Sequence, residues 1–334
     1  MKRGELKVFA GSSGQVFCER MCAYLDIPKG ASEVFRFSEG NTFVKVGEPI
    51  REQDFYIVHP IGLDPNNEFM ELVFWIDAAK RASARSVTVI MPYFSYAKAD
   101  KKDEPRVSIR GRVCAEMLEQ AGADRIITMD LHSPQVQGFF KKPVDHLYAM
   151  PLLVNKIKEM NIPDLMIVSP DAGFVYDARR YADALGVGLA IGNKVRTGHD
   201  ENAKVMELIG DVEGMNCMIV DDFSISGGTL VELSRRLKER GAKRVYACLS
   251  HILLNTTGVQ RIEDSPIEKL ISTDSIDNPY IHASDKIELI SVAPLFAEAV
   301  QRIVNRDSLG GLFSRIPNSV YKQSLKLANY KGKK

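Results

Sequence analysis

The chain is short of several things, and each shortage excludes a class of protein. Across 334 residues the formal net charge is only +1 at pH 7. No excess of either sign argues for a nucleic-acid partner. The five cysteines, Cys18, Cys22, Cys114, Cys217 and Cys248, are an odd number and show no zinc-ligand spacing. Cys114, Cys217 and Cys248 lie in apolar patterns and are expected as buried thiols. No apolar run is long enough to span a bilayer, so no membrane is expected as a partner. The opening stretch from Met1 to Glu5 lacks the apolar segment of a secretory signal, and a cytoplasmic location is expected.

What remains is ordinary globular composition, 45% hydrophobic and 26% charged. The length predicts two domains, each with its own core. Short apolar or β-branched runs predict strands at Leu6–Phe9, Phe55–Val58, Val87–Met91, Arg125–Met129, Leu165–Val168, Gly188–Ile191, Met218–Val220 and Val245–Leu249. Amphipathic stretches such as Asn67–Ala84 and Ile109–Gln120 lie between them. The alternation predicts an α/β protein with mostly parallel sheets. A weak internal repeat aligns the segment from Ala121 to His132 with that from Arg240 to His251. Each follows a strand that ends in a polar turn, from Met91 to Phe94 and from Val220 to Phe223. The first half carries extra residues, which fall in the charged stretch from Ala97 to Arg106. That composition predicts a surface loop able to act as a lid.

The densest run spans residues 217–230 and reads Cys-Met-Ile-Val-Asp-Asp-Phe-Ser-Ile-Ser-Gly-Gly-Thr-Leu. Apolar residues make a short strand, the carboxylates of Asp221 and Asp222 sit where it ends, and Ser226-Gly227-Gly228-Thr229 leads into a helix. Glycines let backbone N–H groups converge, so a phosphate can rest on the helix N-terminus. Ionised Asp only accepts hydrogen bonds and suits the vicinal hydroxyls of a sugar. Together they describe a ribose 5-phosphate cradle at a strand C-terminus, where open α/β sheets bind ligands. An ordinary strand–turn–helix with a solvated acidic corner is the plain alternative. No lysine follows the glycines, which excludes a Walker A loop.

Five separated stretches carry a family resemblance. They are the runs from Phe37 to Thr42, from Met91 to Asp103, from Thr128 to Ser133, from Val168 to Gly173, and the loop from Asp221. Asp130-Leu131-His132, followed by Gln137 to Phe140 and Pro143 to Tyr148, is especially specific. Over nearly its whole length the chain resembles ribose-phosphate pyrophosphokinase, also called phosphoribosyl pyrophosphate synthetase. The resemblance implies two tandem type I phosphoribosyltransferase-like α/β domains. The first would cover residues 1–150, with about 305–320 packing back on it, and the second residues 151–304. Residues 321–334 are expected as a basic tail. The implied reaction moves the β,γ-diphosphoryl group of Mg-ATP to the anomeric hydroxyl of ribose 5-phosphate and releases AMP, as in nucleotide precursor synthesis.

Site residues follow from the same resemblance. Asp171, Asp221, Asp222, Ser224, Ser226, Gly227, Gly228 and Thr229 match the ribose 5-phosphate side. Phe37, Glu39, Asn41, Lys98, Asp100, Lys101 and His132 match the ATP side, with His132 and Asp171 as contacts of Mg2+. Lys194 and Arg196 match a catalytic pair on a flexible loop, where both cations could stabilise charge on the phosphoryl oxygens. By spacing alone, a Lys-x-Arg is a solvated pair, His132 a structural histidine and Phe37 a core residue. In the family the Phe37 loop reaches an adenine across a subunit interface, which implies a homo-oligomer built from dimers. Arg51, Arg106 and Ser308 match parts of a regulatory phosphate site.

The chain also departs from the pattern. Ile225 replaces an acid beside the ribose, Ser226 a threonine, and Lys98-Ala99 an Arg-Gln pair. Glu39 and Asn41 replace Asp and Glu, while Pro49 and Gly310 stand where serines of the regulatory site are usual. These changes predict altered substrate recognition and weakened phosphate regulation. A different ribose-containing acceptor, or a non-catalytic regulatory paralogue, are the alternatives.

Overall fold

The structure, a computed structural model, describes residues 6–196 and 204–328; the side chains at 193–196 and 204–206 lie outside that description. The chain divides into two compact units. Unit 1 comprises Met1–Tyr148, Asp274–Asp277 and Ser291–Lys334, and unit 2 comprises Ala149–Thr273 and Asn278–Ile290.

Unit 1 opens with β1 (Leu6–Ala10), α1 (Gln15–Leu25), β2 (Ser32–Arg36), β3 (Thr42–Val46) and β4 (Asp54–Val58). Next come α2 (Pro65–Arg81), β5 (Ser86–Met91), α3 (Arg110–Ala121), β6 (Arg125–Met129) and β7 (Val144–Leu147). The main sheet has the order β1-β4-β5-β6-β7, parallel throughout. Its central strands are buried on both faces, which is why they read as continuous apolar runs. Pro65 starts α2, whose apolar stripe buries Leu72, Trp75, Ile76 and Ala79. Gly122, at φ +117°, ends α3 in the left-handed conformation that glycine adopts without strain. The small antiparallel sheet β2-β3 is a hairpin that the strand reading of the sequence did not include.

Unit 2 contains α4 (Met150–Glu159), β8 (Leu165–Ser169), α5 (Val175–Leu185), β9 (Gly188–Arg196), β10 (Lys204–Ile209) and β11 (Asn216–Ser224). It continues with α6 (Gly228–Glu239), β12 (Arg244–Ile252), α7 (Thr256–Glu263), β13 (Ile267–Thr273) and β14 (Ile287–Ile290). The sheet order is β10-β9-β8-β11-β12-β13-β14, with β10 the one antiparallel strand of this sheet among the described residues. Two helices follow in unit 1, α8 (Ala293–Asn305) and α9 (Asn318–Ala328).

Several expectations are corrected. The return to unit 1 begins at Ser291 rather than near 305, and a short crossing occurs at Asp274–Asp277. The expected basic tail contains α9, which buries Val320, Tyr321, Ser324 and Leu327 at helical spacing among its lysines. Asp274 explains the crossing physically. It is 5% exposed, accepts from Arg20 of α1 at 2.5 Å, and accepts the Val292 amide at the start of α8 at 2.7 Å. Arg20 also donates to the Ala328 carbonyl at the end of α9, at 3.1 Å. Phe17 of α1 meets Phe296 of α8 edge-on, with ring centroids 5.4 Å apart. All five cysteines are buried and free. No helix among the described residues is long and apolar enough to cross a membrane.

Candidate active site

In unit 2 the site residues gather at the C-terminal edge of three adjacent parallel strands. β9 pairs with β8, and β8 with β11. The β8–β11 ladder stops at Ile219 and Val168, while β11 stays paired to β12 as far as Ser224 and Ile252. Asp221 and Asp222 therefore lie inside β11, not past its end. They stand where one flank of the strand has lost its neighbour, and both are half-buried. The Asp222 amide donates to Asp221 Oδ1 at 3.0 Å, and the Phe223 amide to Asp222 Oδ1 at 2.8 Å. Burial, then the charge of Asp222 and lastly that of Asp171, pushes the Asp221 carboxyl well above the usual carboxylate range.

Asp171 follows β8 and is exposed. Its Oδ1 accepts from the Gly173 amide at 2.8 Å and from the Phe174 amide at 3.2 Å, leading into α5. The phosphate-type loop follows β11. Gly227 sits at φ +71°, a conformation that strains any residue with a Cβ, and opens α6 without a side-chain cap. Ser224 Oγ accepts the Gly227 amide at 3.2 Å, and Ser226 Oγ the Gly228 amide at 3.4 Å. The loop is held from behind by Arg261, which donates to the Ser226 carbonyl at 3.2 Å. Sequence reasoning missed that arginine, and no local motif marks it. Thr229 is half-buried in the first turn of α6, and Ile225 stands 51% exposed in the loop.

Lys194 and Arg196 were expected in a loop. Their backbone instead continues β9, with Met206 opposite Lys194 and Lys204 opposite Arg196. Polar composition past Ile191 hid the strand, whose ladder partner is the distant segment β10. Their side chains lie outside the described residues.

Unit 1 holds the other group. Phe37, Glu39 and Asn41 occupy the exposed β2-β3 turn, closed by the Phe37 amide to the Asn41 carbonyl at 2.8 Å. Phe37 is 44% exposed and packs edge-on against Phe35 at 5.0 Å, so it is no core residue. Lys98 and Asp100, both half-buried, follow β5, with Lys98 Nζ 5.7 Å from the centre of the Tyr93 ring. Ala99 is buried and its carbonyl accepts the Gly111 amide at 3.0 Å. Lys101 is exposed. His132 is exposed just past the adjacent strand β6. Arg51, Arg106 and Ser308 are exposed in three separate loops. Ser308 Oγ accepts the Gly310 amide at 3.2 Å, and Arg106 holds φ +67°.

Known proteins are similar to this chain over most of its length. A family model described as the N-terminal domain of ribose phosphate pyrophosphokinase matches residues 6–122, and one described as the phosphoribosyl synthetase-associated domain matches residues 193–314. A ribose-phosphate pyrophosphokinase from Rhizobium meliloti is 41% identical over 310 residues, covering 92% of this chain and 100% of its own length. The chain belongs to the ribose-phosphate pyrophosphokinase family. A second such pyrophosphokinase, from Chlorobaculum tepidum, is 42% identical over 92% of this chain and 95% of its own. The crystal structure of phosphoribosylpyrophosphate synthetase from Mycobacterium smegmatis superposes with a TM-score of 0.85 at 34% identity, covering 90% of this chain and 99% of that one. The pyrophosphokinase family is one of enzymes, and its α/β architecture is the one seen here.

Proposed function

We propose that the chain transfers the diphosphoryl group of Mg-ATP to the anomeric hydroxyl of ribose 5-phosphate, giving 5-phosphoribosyl 1-diphosphate and AMP. One observation carries the reading. Asp171 follows β8, and the Asp221–Asp222 pair lies in the adjacent strand β11 just beyond its last pairing with β8, ahead of an uncapped helix N-terminus entered through a left-handed glycine. The pair accepts the vicinal hydroxyls of ribose. The N–H groups and hydroxyls from Ser224 to Thr229 take the 5-phosphate, aided by the helix dipole. Lys194 and Arg196 bring positive charge to the transferring group. His132, Lys98, Asp100 and Lys101 serve the nucleotide.

The residues also fit the metal. Among the described residues no group of three or more His, Cys, Asp and Glu forms a metal cage. Asp171 and Asp221 are close enough to interact electrostatically. So few carboxylates suit Mg2+, which fills its shell with water and substrate phosphate, and in unit 2 Asp171 is its proposed contact. When bound, the ion supplies charge neutralisation on the phosphoryl oxygens. The exposed Phe37 turn supports a homo-oligomer in which that turn serves a neighbouring subunit's nucleotide, and ATP as substrate fits a cytoplasmic enzyme.

The test is the purified chain with ATP, Mg2+ and ribose 5-phosphate, following AMP and the sugar diphosphate together. Equal release of both is expected. The exposure of Ile225 in the sugar loop favours one further reading, the same chemistry on another ribose with a free anomeric hydroxyl. AMP release with such an acceptor, and none with ribose 5-phosphate, would establish it. Inactivity with every acceptor would point to a regulatory paralogue.

A further inference from the structure

The geometry points to His146 as a positioning residue for the nucleotide side: its imidazole holds the backbone just before His132. The inference rests on the reading of His132 as a nucleotide contact. His146 is on β7, 4% exposed, and pairs with Thr128 in the β6–β7 ladder. That ladder ends at Met129 and Leu147. At the next residue, Asp130, the chain turns through φ +39°, a conformation few residues other than glycine adopt. The Asp130 amide still reaches the Leu147 carbonyl at 3.1 Å.

After that turn the buried Leu131 amide points away from the ladder carbonyls. His146 Nε2 accepts it at 2.9 Å. An accepting Nε2 carries no proton, so this nitrogen presents a lone pair to the loop. The ring proton is then on Nδ1, which lies 3.2 Å from the Gln137 side-chain nitrogen as a neighbour rather than an acceptor, while that nitrogen donates to the Pro134 carbonyl at 2.9 Å. The ring face rests on Tyr148, centroids 4.6 Å apart, and Tyr148 meets Phe313 edge-on at 6.2 Å. Two consecutive amides, at Asp130 and Leu131, are thus fixed from one strand, and His132 is the next residue. Held this way, the His132 side chain starts from a set backbone position although it stands in solvent.

Three full-length variants test this. His146→Phe keeps a ring but removes the acceptor. His146→Gln places a carbonyl oxygen at similar reach, and His132→Ala removes the proposed contact itself. Hydrogen exchange at the Leu131 amide and steady-state kinetics with each substrate are measured. For His146→Phe we expect faster exchange and a KM for ATP raised about ten- to a hundredfold, the usual effect of losing a partner that orients a ligand-binding group. The KM for ribose 5-phosphate should stay unchanged, and His146→Gln should restore both readouts. Unchanged exchange, or faster exchange with an unchanged KM for ATP, overturns the proposal. So does an equal loss toward both substrates with a lowered melting temperature, which is what a purely structural histidine gives. If His132→Ala loses ATP kinetics while His146→Phe keeps them, only this proposal falls. If His132→Ala retains them, the reading of His132 falls as well.

Discussion

Strands β4-β5-β6-β7 of unit 1 and β8-β11-β12-β13 of unit 2 run parallel in matching order, yet the second strand of each set finishes differently. β5 runs into Pro92, Tyr93 and Phe94, while β11 continues as Asp221, Asp222 and Phe223. Tyr93 and Phe94 are 4% and 2% exposed, and Phe94 belongs to the unit 1 core. Asp221 and Asp222 stay half-buried, next to an exposed loop that enters α6 at once. In unit 1 an exposed charged stretch intervenes before α3. The same place in a sheet therefore serves packing in one unit and, in the proposed function, ligand chemistry in the other. Chemistry there requires carboxylates kept near one another and partly out of water, which is unfavourable for the unliganded fold.

The largest effect should separate the two edges outright. Phe94→Ala is expected to cost about 3–5 kcal/mol of stability, read from denaturant unfolding, with the KM for ribose 5-phosphate unmoved. A KM that shifted with it would break the contrast. Lys194→Ala, on the hairpin edge of unit 2, should lower kcat about a hundredfold, because its contact is proposed to strengthen in the transition state. A change confined to KM would assign it to ground-state binding. Asp222→Asn should raise the KM for the sugar about tenfold, the scale of one charged hydrogen bond, and leave the melting temperature nearly alone. Unaltered sugar affinity would remove Asp222 from the site.

Asp221→Asn sharpens the contrast with a smaller effect of opposite sign. An acid whose pKa is raised on folding holds its proton more tightly when folded. Its ionisation therefore subtracts stability once the pH passes the unfolded value of about 4. The asparagine variant should melt about 2–4 °C higher near neutral pH. That gain should shrink as the pH falls toward the ordinary carboxylate range, while sugar binding is lost. A lower melting temperature at neutral pH would contradict the strained pair. Least of all should inorganic phosphate matter. With Pro49 and Gly310 in place of serines, its titration is expected to move the rate only mildly, and steep activation from zero activity would restore a working regulatory site.

The unit 2 loop was legible in sequence because its parts are contiguous: a strand, two carboxylates, a left-handed glycine and a helix start. The parallel α/β alternation was legible for the same local reason. What stayed hidden depends on distant partners. β9 reads as a polar loop past Ile191 until β10 supplies its ladder. Val320, Tyr321, Ser324 and Leu327 form a buried stripe, but lysines around them mask it. His146 stood in a recognised run, and only the left-handed turn at Asp130 shows why its side chain is needed.

The bonds of Arg20 have a consequence for how the molecule is made. Its partners Asp274 and Ala328 lie 254 and 308 positions further along the chain. A ribosome delivers α1 early and the residues that cover it last. While unit 2 emerges, the Phe17 face of α1 has no Phe296 to meet, and it must wait uncovered or be shielded by a chaperone. Loss of α9 would then be felt in α1, a helix translated about 300 residues before it.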